Sequence, residues 1–148
     1  MDVKAVAVLA TGIAGGLIAL QAPINSMLGK AVGSLAAASV SFAIGLAALV
    51  AITLMFAGGF GDLGEARNLS WYYLLGGVLG AVYVTTALIA VRELGAGGVT
   101  AATIAGQLTM SVLIDRAGWL GLQERALSYD RVIGIALLAA GTYLIVRE

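Results

Sequence analysis

Apolar runs long enough to cross a bilayer recur along this chain, and its few charged residues fall between them. About 20 apolar residues, wound as a helix, cross a hydrocarbon core of about 30 Å. Five such runs are drawn, at about 5–28, 35–57, 71–91, 95–114 and 131–146. Composition agrees: 61% of the 148 residues are hydrophobic and 11% are charged, against roughly 25% charged in an average soluble domain. So little charge does not cover the surface of a soluble domain of this length. The expected fold is all-α, a single polytopic transmembrane domain of five helices over 1–148.

The same composition excludes several functions. Formal net charge is zero, so no basic field invites nucleic acid. The chain has no cysteine and no histidine. Thiolate chemistry, Cys-based metal sites and the commonest general base are therefore missing. Paired carboxylates at mid-membrane are missing too, so the expectation is no enzyme, no cofactor and no metal. The opening "MDVKAVAVLATGIAGGLIALQAP" has some signal-peptide features. Asp2, the immediate Pro23 and the later spans favour a retained first transmembrane helix.

Connections read as short. "GKAVGS" (29–34) and "RELG" (92–95) are expected turns, and "GGFGDLGEARNLS" (58–70) a flexible polar loop. "DRAGWLGLQERALSYDR" (115–131) is mildly amphipathic, with Trp119, Leu120 and Leu122 suited to the interface. Ser128 is a candidate N-cap for the last helix. "WYY" (71–73) stands where an aromatic belt belongs. Five crossings put the termini on opposite sides. One side then holds Lys4, Arg67, Arg116, Arg125 and Arg131, the other Lys30, Arg92 and Arg147. That bias is weak under the positive-inside rule, so insertion in both orientations stands beside a single orientation.

Polar atoms inside the runs are the candidate functional groups. In "LQAPINSMLG" (20–29), Pro23 has no N–H and frees the carbonyl of Ala19, so a kink or hinge is expected there. Gln21 and Asn25 are four apart and share a face. Gln21 lies roughly 25 Å along the helix from Lys4. A watery cavity and a kink near the interface both fit these residues. In the fourth run Thr100, Thr103, Gln107 and Ser111 make one polar stripe. Gln107 is about 18 Å in from Gly95. Either a cavity lining or interhelical hydrogen bonding accounts for the stripe. Tyr83, with Thr85 and Thr86, offers a second wall, and Asp115 ends its run at the membrane edge. Gly12 with Gly16, Ala37 with Ser41 and Gly45, Gly76 with Gly80, and Ala102 with Gly106 have helix-contact spacing. Packing of the five helices on one another explains each pair, and a surplus of such faces suits a dimer.

With these residues in place, the chain resembles the YdcZ-like family, a five-helix branch of the drug/metabolite transporter superfamily. The likeness rests on "QAPINSMLG" (21–29), "SFAIG" (41–45), "LLGGVLGAVYV" (74–84), "ELGAGGVTAATIAGQLTMSVLIDRAG" (93–118) and "RVIGIALLAAGTYLI" (131–145). Its most specific element is Gly106, Gln107, Leu108, then Leu113, Ile114 and Asp115. Arg116 stands where members often have His, and Ala126 where many have Pro.

The resemblance implies a half-sized transporter in the inner membrane of a prokaryote. Its partner would be an antiparallel copy of itself, a dual-topology homodimer, or a homologous sister subunit. The expected cargo is a small polar metabolite, moved by alternating access. Gln21, Asn25, Tyr83, Thr103, Gln107 and Ser111 would line the site, Asp115 would guard one mouth, and Pro23 would be the hinge. A dual-topology ion channel is one alternative. An exporter of small organic cations or drugs, like the small multidrug resistance proteins, is another. The absence of a mid-membrane carboxylate counts against a proton-coupled cation mechanism.

Overall fold

The computed structural model describes residues 2–147. Among them every regular element is helical. Helix α1 is Val3–Val32, α2 is Ser34–Phe56, α3 is Leu75–Ala117 and α4 is Tyr129–Val146. Short 3-10 turns cover Leu63–Asn68, Trp71–Leu74 and Trp119–Gly121. Four helical stretches are long and apolar enough to cross a membrane, the third being Trp71–Ala117 with 47 residues.

Helix α3 counts as two crossings. Its 43 residues would run about 65 Å if straight, twice the hydrocarbon thickness. Gly95 interrupts it at φ 67° and ψ 171°. That conformation is essentially open to glycine alone. The limbs on either side, 75–94 and 96–117, are each about 30 Å long. Counted this way, the described residues form the five expected helices.

The boundaries correct the sequence reading in two places. "GKAVGS" is not a six-residue turn: α1 continues through Lys30 to Val32, and Gly33 alone, at φ 88°, separates it from α2. "RELG" is likewise helical up to Gly95. A charged residue near a helix end reaches water by its own length, so it does not stop the helix. Helix α1 runs through Pro23 as one element, without an unwound segment, so a kink or hinge there would be a bend within the helix. In the longest connection, Ser128 does cap α4: its Oγ accepts from the Arg131 N–H at 3.3 Å.

The chain divides into two compact units. One comprises Leu20–Arg92, the other the residues up to Ala19 together with those from Glu93 onward. The first boundary falls at Ala19, whose carbonyl Pro23 leaves without its helical donor. In the first unit Ala38, Val84 and Leu88 form a buried cluster with Tyr83 packed against it. Among the described residues Leu88 is the one large side chain that is fully buried. Most large apolar side chains face outward. In lipid this costs nothing, because tails solvate Leu as well as another Leu does.

Candidate functional site

The candidate residues divide between the units. In the first unit, α1 buries a single stripe: Ala22, Asn25, Ser26 and Gly29. The spacing i, i+3, i+4, i+7 is one helical face. Small residues at 22 and 29 let neighbouring backbone come close, and the polar pair between them is carried inside. Asn25 and Ser26 are each 5% exposed. The Asn25 Nδ2 is buried and makes no hydrogen bond. Leaving such a donor unpaired costs about 1–3 kcal/mol. Gln21 is less enclosed. It lines a groove of about 300 Å³ with Ser41, Phe42, Gly45, Leu46 and Leu49. Pro23, between the two amides, is half-buried.

Arg92 closes this unit. Its Nε donates to Ser26 Oγ at 3.2 Å and its Nη2 to Ser34 Oγ at 3.4 Å. The guanidinium thereby ties α1, the start of α2 and the first limb of α3. It also explains Gly29, where a Cβ would lie 3.0 Å from Arg92 Nη2. Tyr83 is half-buried against the Leu88 cluster, with Thr85 half-buried and Thr86 exposed. From sequence, Arg92 stands out with Asp115 as a charge at the membrane edge that could assist recognition, but its contacts with Ser26 and Ser34 do not. The available signal was Ser26 on the Asn25 face, one turn before Gly29.

The second unit carries the other stripe. Thr100 and Thr103 are half-buried, while Gln107 and Ser111 are exposed on the single chain. Asp115 continues the stripe one turn further. It is half-buried and pairs with Arg131, Nη1 to Oδ2, at 3.1 Å. The Asp115 carbonyl accepts from the Arg125 N–H at 2.8 Å. Arg116 pairs with Glu124 at 3.0 Å on the exposed surface. Asp115 thus fastens the loop before α4, with its charge already matched. Thr142 joins α4 to the second limb of α3 by donating to the Ala101 carbonyl at 3.1 Å.

The small-residue pairs behave unequally. Gly80 packs on Phe42, with 3.3 Å from a would-be Cβ to the ring. Ala37 is fully buried. Gly12, Gly16, Gly45, Gly76 and Gly106 have no atom within 4 Å of where a Cβ would stand. Around these five, no side chain or other helix of their own unit fills the space that a Cβ would take.

Comparison with known proteins adds the lineage. The sequence profile of the family described as "Putative inner membrane exporter, YdcZ" matches residues 6–144. The chain belongs to the YdcZ family. Among curated relatives, the inner membrane protein YdcZ of Escherichia coli (strain K12) is 30% identical over 90 residues. That alignment covers 61% of this chain and 58% of the relative, so the chain matches less than two thirds of the relative's length. No solved structure matches. With its long apolar helices, this YdcZ-family member is a multi-pass inner-membrane protein.

Proposed function

We infer that the chain is a half-transporter that works as an antiparallel dimer and moves a small polar metabolite across the inner membrane by alternating access. The exporter family supports the transport part. The observation that carries the dimer is Gln107, exposed with Ser111 on a limb whose other faces are largely apolar. An amide moved from water into hydrocarbon costs roughly 4–8 kcal/mol when nothing there pairs with it. A second copy, enclosing a wet site along the stripe, removes that cost. The open faces at Gly12, Gly16, Gly45, Gly76 and Gly106 also suit close contact with another helix. In this reading Gln21, Asn25, Tyr83, Thr103, Gln107 and Ser111 serve the cargo, and Pro23 supplies the hinge.

Because the chain has no cysteine, a Gln107→Cys variant reports on that position alone. In membrane vesicles, mild oxidation should convert it to a disulfide-linked dimer. Cells expressing the wild type should release a polar metabolite that cells expressing Gln107→Leu retain. Monomer on oxidation, together with identical metabolite profiles, would sink the proposal.

A further inference from the structure

Arg92 is a cation whose hydrogen-bond partners are all neutral. It gives Nε–H and Nη2–H to the hydroxyls of Ser26 and Ser34. Within the described residues of its own unit no carboxylate pairs with it. A hydroxyl that accepts still has its own proton to give. Hydroxyls elsewhere on these helices return that proton to the carbonyl four residues back: Thr11 to Ala7, Ser39 to Leu35, Thr109 to Ala105, Thr142 to Leu138. Ser26, although buried, makes no such bond among the described residues. Beside it on the same face, Asn25 Nδ2 is buried with no acceptor. The cluster therefore holds a guanidinium and two hydroxyl protons, with the unpaired Asn25 amide next to Ser26 on the same buried face of α1, and no anion among the described residues.

We propose that Arg92, Ser26, Ser34 and Asn25 form a binding site for a small oxyanion, a carboxylate or phosphate group. Arg92 supplies the charge and a planar fork of donors that matches such a group. The buried Asn25 and Ser26 supply orienting donors whose unpaired state the anion relieves. Depth fits as well. Arg92 lies about 25 Å along α3 from Leu75, and Gly29 is one turn from the end of α1, so the cluster sits near one membrane surface. Free anions and lipid headgroups both reach that depth. As the anchor of a transported anion the site rests on the transport reading; as a site it does not. A purely structural clamp would show no preference among solutes of equal size.

The experiment uses the full chain in neutral detergent, with thermal unfolding as the readout and ionic strength held constant with chloride. Sodium succinate and inorganic phosphate should raise the midpoint in a saturable way, and neutral succinamide should not. Arg92→Gln should weaken the apparent affinity at least tenfold, and Ser26→Ala a few-fold. Gly29→Ala keeps every charge but puts a methyl 3.0 Å from Arg92 Nη2; it too should weaken binding about tenfold. If Arg92→Gln fails to fold, Gly29→Ala and Asn25→Leu carry the test. A separate arm adds phosphatidylglycerol or phosphatidylcholine to the micelles. A shift with phosphatidylglycerol alone, lost in Gly29→Ala, assigns the same site to a headgroup phosphate. Equal shifts with succinate and succinamide, or shifts unchanged in the variants, overturn the proposal. Anion binding without flux would remove the transport reading and leave the site. Flux of a neutral metabolite without anion binding would do the reverse.

Discussion

Asn25 is buried at a cost, which separates stability from function at a single residue. Its Nδ2 has no partner, so replacing it by an apolar side chain of similar size removes a desolvation penalty. Asn25→Leu should leave thermal stability in detergent unchanged or raise it by about 1 kcal/mol. Metabolite release should fall in the same variant. A clear loss of stability with release intact would mark Asn25 as packing. Ser128 offers the opposite case. Its Oγ holds the Arg131 N–H, so Ser128→Ala should cost about 1 kcal/mol. The loss should appear as faster amide exchange over residues 129–132, without change in release. The amide pair was legible in the sequence because polar groups stand out in an apolar run. The Arg92 clamp was not, since Ser26 and Ser34 lie 66 and 58 residues away along the chain. Nothing local in "RELG" marks Arg92 as the group that meets them.

Elements in this chain are ended by backbone geometry more than by charge. Gly33 and Gly95 both take positive φ with extended ψ. A side chain at Gly95 would be held in a region where each such residue costs about 1–3 kcal/mol. Gly95→Ala should therefore lower the unfolding midpoint or straighten the joint. Limited proteolysis or exchange over 92–98 would detect either. Wild-type protection and stability in Gly95→Ala would contradict a required turn there. Pro23 makes a complementary case. Helix α1 stays continuous across it, so any hinge must come from the hydrogen bond missing at Ala19. Pro23→Ala restores that bond; it should stabilise α1 and slow release. Faster or unchanged release would remove the hinge role. Five apolar runs were readable because hydrocarbon thickness sets their length. Their ends were misplaced because Lys30, Arg92 and Glu93 looked like loop residues, whereas a single glycine makes each turn.

The whole molecule poses the question of orientation. Five crossings place Lys4, Arg67, Arg116, Arg125 and Arg131 on one side and Lys30, Arg92 and Arg147 on the other. Asp115 and Glu124 neutralise Arg131 and Arg116 locally, but orientation follows Lys and Arg rather than net charge. A bias this small suits the proposed antiparallel pair of one chain, which needs both orientations to insert. A reporter fused at the C-terminus should then signal from both sides of the membrane. Two or three added Lys in the loop 58–70 should drive nearly all copies one way and abolish release. Lysines added beside Lys30, near the turn at Gly33, should drive the opposite orientation and also abolish it. Co-expression of the two locked variants should restore release, because each supplies the orientation the other lacks. A reporter signal confined to one side in the unmodified chain would sink self-pairing and leave a sister subunit of fixed opposite orientation as the partner. Full release from one locked variant alone would sink the antiparallel arrangement altogether.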